Sequence, residues 1–193
     1  MPGGCGMELL VVDACVRGEI SGTRKLLTAY LKARYPLVQP HVLRLKDEGL
    51  LPLQEEDVQK KDALLAAGDY DHPMLRHARL LRDAREIVVA APYWDWSFPS
   101  LLKVYIEHCC AVGLTIAYEG ERHYGLCKAR RMTYLSTCGG PIEGGHLGEQ
   151  YLRFMAGVFG IPEFQAYHIE NLDLVPARRE ELLQAGIRRI IQP

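Results

Sequence analysis

Val88-Val-Ala-Ala-Pro-Tyr-Trp-Asp-Trp-Ser-Phe-Pro99 is the stretch on which the reading of this chain turns. Small and β-branched apolar residues run into a proline, and both tryptophans of the chain follow at once. A short apolar run bounded by turn residues reads as a buried strand, here Ile87 to Ala91. The aromatic cluster from Tyr93 to Phe98 then stands at the carboxyl end of that strand. Pro99 opens a helix predicted over residues 99–112, in the first turn, where the missing N–H of proline costs little.

Working outward, the same alternation repeats. Leu9-Leu-Val-Val12 reads as a buried strand, and Ser21 to about Tyr35 has helical spacing (Leu26, Leu27, Tyr30, Leu31), with Ser21 or Thr23 near the N-cap. Val42-Leu-Arg-Leu45 is a second strand. Residues 55–67 read as a charged helix and 73–84 as another, while Leu50, Leu51 and Pro52 read as loop. Met132-Thr-Tyr-Leu135 is the fourth strand. His146 to Phe159 is a helix closed by Gly160 and Pro162. Phe164-Gln-Ala-Tyr-His-Ile169 is the fifth strand, and 176–191 the last helix. Strand and helix alternating five times predict an α/β fold, a five-stranded parallel sheet with helices on both faces. Its 193 residues suit one domain with a full core, spanning 1–193.

The bulk numbers exclude several classes. Lys and Arg total 23 against 24 Asp and Glu, a net charge of −1, so no basic excess calls for nucleic acid or an anionic membrane. No apolar run approaches the roughly 20 residues of a membrane span. Met1 to Gly6 lacks the layout of a signal peptide and reads as a tag remnant or frayed start. The six cysteines (Cys5, Cys15, Cys109, Cys110, Cys127, Cys138) form no Cys-x-x-Cys pair, and the seven histidines show no zinc-type spacing with them. Reduced thiols, no metal site and a cytoplasmic protein are expected.

In open parallel sheets ligands bind beyond the carboxyl ends of the strands. Three loops should therefore build a site. The first, Asp13 to Arg24, ends in Ser21-Gly22-Thr23 at a helix start, where hydroxyls and free N–H groups suit a phosphate; Arg17 or Arg24 can add charge. It has neither the Gly-x-Gly-x-x-Gly nor the Walker pattern. The second, Pro92 to Phe98 with Tyr93, Trp94, Asp95 and Trp96, can lie along a flat heterocycle, with ring faces stacking on it and N–H groups at its polar edge. In the third, Ser136 to His146, Gly139 and Gly140 let backbone approach a ligand closely, and their N–H groups can stabilise negative charge. Each loop taken alone also reads as plain structure: a capped helix, a cover for the sheet end, a flexible connector. Together they fit one flat, phosphate-bearing cofactor.

These residues resemble a known family. Ala91-Pro-Tyr-Trp-Asp-Trp-Ser-Phe-Pro-Ser-Leu-Leu-Lys-Val-Tyr-Ile106 is similar to an Ala-Pro, aromatic loop, Pro-x-x-Leu-Lys segment of the flavodoxin-like NAD(P)H quinone reductases and FMN-dependent azoreductases. Gly113-Leu-Thr-Ile-Ala-Tyr118 with Gly125-Leu126 resembles their excursion before the fourth strand. Thr137-Cys-Gly-Gly140 resembles their Ser/Thr-x-Gly-Gly loop, and Tyr151 to Ile161 the helix that follows. The first loop matches more loosely, with Ala14 and Cys15 where hydroxyls are common, and Asp95 stands where azoreductases often have Asn.

The resemblance implies a flavodoxin-like three-layer sandwich and a flavin oxidoreductase. It implies FMN rather than FAD, since the chain ends soon after its fifth strand and helix. NADH or NADPH would pass hydride to flavin N5 and leave, and a quinone, azo compound or similar small acceptor would take the same place. The implied cofactor residues are Cys15, Ser21, Gly22, Thr23, Pro92, Tyr93, Trp94, Asp95, Trp96, Thr137, Cys138, Gly139 and Gly140. Backbone at Trp94–Trp96 would hold the N5/O4 side and that at Cys138–Gly140 the pyrimidine edge. Trp96, Tyr118 and Tyr124 would frame the substrate pocket, and His146 would donate a proton or stabilise the reduced anion. A homodimer whose partner closes the site is implied as well. Two rival readings stay open here: an electron carrier or flavin-binding interaction module, against which the near-neutral charge speaks, and a domain of this fold that has lost its cofactor.

Overall fold

The computed structural model of the protein describes residues 7–192; Met1 to Gly6, with the expected tag remnant and Cys5, lie outside the described residues. The elements follow as β1 (Leu9–Asp13), α1 (Gly22–Arg34), β2 (His41–Arg44), α2 (Glu55–Ala67), α3 (Arg76–Asp83), β3 (Glu86–Ala90), α4 (Ser100–Cys109), β4 (Ile116–Glu119), β5 (Arg122–Gly125), β6 (Arg131–Thr137), α5 (Leu147–Val158), β7 (Glu163–Ile169) and α6 (Arg179–Ile191). Five strands form a parallel sheet in the order β2-β1-β3-β6-β7. The chain leaves β1 to one side for β2 and returns on the other side for β3, so the strand order switches direction between β1 and β3.

The period of two along each strand sorts the core into two layers. Leu9 and Val11 of β1, with Val88 and Ala90 of β3, pack with Leu26, Leu27 and Tyr30 of α1 and Leu183, Ile187 and Ile190 of α6. Their neighbours Leu10, Val12, Ile87 and Val89 face the other way. They meet Leu81 of α3, Leu102, Tyr105 and Ile106 of α4, and Leu152, Met155 and Phe159 from α5 and its end. Both faces of β1 and β3 are thus buried, as a central parallel strand requires. Helix α2 lies further out, its Leu64 and Leu65 against Leu75 and Leu114.

Two expectations change. The excursion before the fourth sheet strand is an antiparallel hairpin, β4 with β5, separate from the main sheet. It is anchored where Gly125 meets the end of α5: a Cβ there would overlap the backbone of Phe159 and Gly160, which accounts for that glycine. Pro99 is the N-cap of α4, with the helix proper beginning at Ser100.

Candidate functional site

One pocket of about 370 Å³ opens at the carboxyl end of the sheet, at the switch between β1 and β3. That volume lies within the range of small-molecule sites. Each of the three predicted loops contributes: Arg17, Ser21 and Gly22; Pro92, Tyr93 and Trp94; Thr137, Cys138 and Gly139.

At the first loop, Ser21 caps α1, its Oγ accepting the Arg24 N–H at 3.4 Å. The N–H groups of Gly22 and Thr23 have no acceptor among the described residues, and face the pocket end of a 13-residue helix. Thr23 is fully buried, and its Oγ1 lies 2.7 Å from Thr137 Oγ1. This bond ties the helix start to the end of β6. Arg24 does not line the pocket. Its guanidinium turns inward to Asp13 at 2.7 Å and Glu19 at 3.0 Å, so the charge expected from Arg17 or Arg24 comes from Arg17. That side chain lies over the Trp94 ring, 5.9 Å from its centre. Cys15 is also turned in: its thiol donates to Ala90 O at 3.7 Å, and burial pushes its pKa up. Its backbone is engaged as well, the N–H donating to Asp13 Oδ1 at 2.9 Å and the carbonyl accepting from Gly18 N–H at 3.1 Å, so Cys15, expected among the cofactor residues, offers a ligand no free donor.

The second loop is a tight turn. Trp94 and Ser97 exchange N–H···O bonds at 3.2 and 2.8 Å, with Asp95 at φ 49° and Trp96 at φ 62° between them. Two consecutive positive φ values make the turn that joins hairpin strands, a geometry glycine and asparagine prefer. Neither residue here is Gly or Asn, so the turn holds backbone strain at the mouth of the pocket. The Asp95 and Trp96 N–H groups have no acceptor among the described residues. Trp94 lines the pocket; Asp95 and Trp96 stand at the exposed tip, Trp96 at 65 % exposure.

The third loop is braced from a side that the three-loop reading missed. Asn171, Leu172 and Asp173, just after β7, donate N–H bonds to Gly140, Cys138 and Gly139 carbonyls at 3.1, 3.1 and 2.8 Å. Asp173 packs onto Gly139 so closely that a Cβ there would collide with its carboxylate. Leu172, Asp173, Arg179 and, from the first loop, Ile20 complete the pocket wall. The signal was present in the sequence: residues 170–173 follow the fifth strand at its carboxyl end, where the same rule applies.

His146 and the two tyrosines are placed differently from expectation. His146 is buried outside the pocket lining, its ring 4.5 Å from that of Tyr93 and edge-on to it. Its Nδ1 accepts the Glu149 N–H at 3.1 Å and caps α5. Burial, then the neighbouring His168, pushes its pKa down to about 4. At neutral pH it is therefore an uncharged imidazole with the proton on Nε2, which backs Tyr93 and is no charged donor. Tyr118 and Tyr124 are exposed on the β4–β5 hairpin and do not line the pocket. Tyr118 stands opposite His123 and Tyr124 opposite Ala117, so the alternation along a strand sends the two rings to opposite faces.

The residues present fit a flat cofactor with a phosphate. Unpaired N–H groups at a helix start, a second unpaired N–H pair beside an aromatic wall, and the buried, unpartnered Tyr93 hydroxyl at that wall are the donors such a group needs.

Comparison with known proteins agrees. A model described as flavodoxin-like fold matches residues 7–192. FMN-dependent NADH:quinone oxidoreductase 2 of Clostridium acetobutylicum is 31 % identical over 94 % of this chain and 95 % of its own. An FMN-dependent NADH:quinone oxidoreductase of Clostridium perfringens is 30 % identical over 95 % of this chain and 96 % of its own. An azoreductase from Bacillus anthracis shares the fold with a TM-score of 0.81 at 22 % identity, covering 96 % of this chain and 97 % of that one. An FMN-dependent NADH-azoreductase from the same species, in complex with FMN, does so at 0.79 and 19 %, over 95 % of each chain.

Proposed function

The chain belongs to the flavodoxin-like fold family, and from that premise we propose that it is an FMN-dependent NADH oxidoreductase acting on a quinone, azo or similar small acceptor. The observation that carries this reading is the convergence of separate loops, with their unpaired N–H groups, on one pocket at the strand-order switch. When bound, FMN supplies the hydride chemistry that links a two-electron donor to the acceptor.

The chain's own residues bind and orient. Ser21, Gly22 and Thr23 take the phosphate on the α1 N-terminus, whose exposed N–H groups carry partial positive charge. The free N–H groups of Asp95 and Trp96 would meet a polar edge of the ring system, which Tyr93 and Trp94 would wall. Cys138 N–H is spent on Ile169 O at 2.8 Å, so the N–H groups of Gly139 and Gly140, which have no acceptor among the described residues, would be the dipoles that favour negative charge on the reduced ring. Trp96, at the open mouth, presents an aromatic face on which NADH and the acceptor stack in turn. Such alternate occupancy makes the kinetics ping-pong.

The assembly is a homodimer. Its support is an apolar stripe on α5: Leu147 and Phe154 are 55 % and 68 % exposed, and half-buried Tyr151 lies between them at helical spacing. The five described cysteines are free, which suits the reducing cytoplasm. No helix among the described residues is long and apolar enough to cross a membrane.

The test is the visible spectrum of the purified protein, followed by NADH without oxygen. A yellow protein that bleaches on NADH and recovers its colour on adding a quinone is expected. A colourless protein that takes up no added FMN overturns the reading. Bleaching with no recovery on any small acceptor turns it into an electron carrier.

A further inference from the structure

The positive charge at the phosphate end of the pocket does not come from the residue nearest the helix start. Arg24 is buried and held by Asp13 and Glu19, with a further bond to Cys15 O at 3.4 Å. Two other arginines line the pocket together with Ser21 and Gly22: Arg17 and Arg179. Arg17 makes no ion pair among the described residues and rests on the Trp94 ring. Arg179, the first residue of α6, uses only its Nε, which donates to Asp173 Oδ1 at 3.0 Å. Its two terminal nitrogens have no partner among the described residues. Asp173 is itself held by its N–H bond to Gly139 O at 2.8 Å and by packing on Gly139. The carboxylate thus holds a guanidinium side-on and leaves its outer fork open, in the geometry that suits a tetrahedral oxyanion.

We propose that Arg17 and Arg179, the latter aimed by Asp173, form the cationic clamp for the phosphate of the flavin, and that this clamp selects a phosphomonoester flavin over phosphate-free riboflavin. The proposal rests on the cofactor reading given above, and it assigns Asp173 as a positioning residue. The segment after β7 becomes part of the binding site, and the ion pair Asp173–Arg179 links the wall that braces the glycine loop to the cation that receives the phosphate. The clamp also accounts for a looser first loop: two guanidinium groups supply donors where Ala14 and Cys15 have no hydroxyl to offer.

The experiment titrates FMN and riboflavin into apo-protein and follows quenching of flavin fluorescence, for the wild type and for R17Q, R179Q and D173N. Wild-type protein should bind FMN much more tightly than riboflavin. R17Q and R179Q should each weaken FMN about 10- to 100-fold, the span of one charge-assisted hydrogen bond, and leave riboflavin within about twofold. D173N should weaken FMN by a smaller factor, since Arg179 remains but is no longer held. Inorganic phosphate should compete with FMN and not with riboflavin. Riboflavin binding in the same variants shows that they fold. FMN affinity unchanged in both arginine variants overturns the clamp, as does an equal loss of both flavins. Wild-type protein that binds riboflavin as tightly as FMN overturns the clamp and leaves the flavin reading standing. Wild-type protein that binds neither overturns the cofactor reading itself.

Discussion

At the amino end of the sheet, Glu86 begins β3 with its side chain almost wholly buried, and it accepts hydrogen bonds from Tyr35, Arg130 and Arg131. Those partners hold its carboxyl below the usual range against the cost of burial. Gly125 packs there against the turn after α5 with no room for a methyl group. At the carboxyl end, Tyr93 OH, Ser136 Oγ and His146 Nε2 are buried with no partner among the described residues, and the turn at Asp95–Trp96 sits in a strained conformation. A buried polar group left unpaired costs about 1–3 kcal/mol. One end is closed by its own chain; the other keeps, at the pocket wall, the Tyr93 hydroxyl and a strained turn that a ligand can answer. Arg131 Nε and Thr133 Oγ1, in β6, also have no partner among the described residues. The difference still separates residues that hold the fold from residues that serve it.

The largest effect should come from the closed end. Gly125→Ala places a methyl group against backbone, which no rotamer change can relieve, and should cost about 3 kcal/mol in urea unfolding, the upper part of the overpacking range. FMN affinity of the folded protein should not change. A parallel loss of FMN affinity would mean that the two ends are coupled and the contrast is false.

The next effect belongs to the open end and is a matter of pH. His146 takes up a proton near its ordinary 6.5 in the unfolded chain, but only at about 4 in the fold. Between those values the unfolded state binds more protons, so stability falls as pH falls, by about 3 kcal/mol over the window. It is fully present above pH 6.5. His168 lies against His146, ring to ring at 4.5 Å, and His168 and Glu149 are coupled to it through space, so the difference between variants reads the imidazole together with that coupling. His146→Asn keeps an oxygen to cap α5 and should remove this share of the slope. Urea midpoints at pH 7 and pH 4.5 check it, and identical slopes in both proteins would place the imidazole in solvent.

The smallest effect sharpens the contrast most. Trp96→Gly relieves a positive φ, and should raise stability by about 0.5–1 kcal/mol. Quinone turnover should fall as the stacking face is lost. A gain in stability with a loss of activity is the signature of strain kept for function. A destabilised variant would show that the exposed indole contributes to the fold instead.

Much of this was legible along the chain. Apolar runs at 9–12 and 87–91 became the central strands β1 and β3 because residues buried on both faces must be apolar at every position. The charged helix at 55–67 was read to the residue. The β4–β5 hairpin was not, because its four-residue strands are short and polar and form by docking at Gly125 rather than by propensity.

The sequence by itself determined the order of the five sheet strands and their helices, the loops at the carboxyl ends and the residue types suited to a flat anionic cofactor. Each follows from local pattern, which a linear chain carries in full. Only the tertiary structure decided which side chains face the pocket. It turned Arg24 inward to Asp13 and brought Arg179 from the far end of the chain to Arg17's side. It buried His146 behind Tyr93 and sent Tyr118 and Tyr124 to opposite faces of a hairpin. Direction and burial depend on contacts between residues distant in sequence, and no local pattern encodes them.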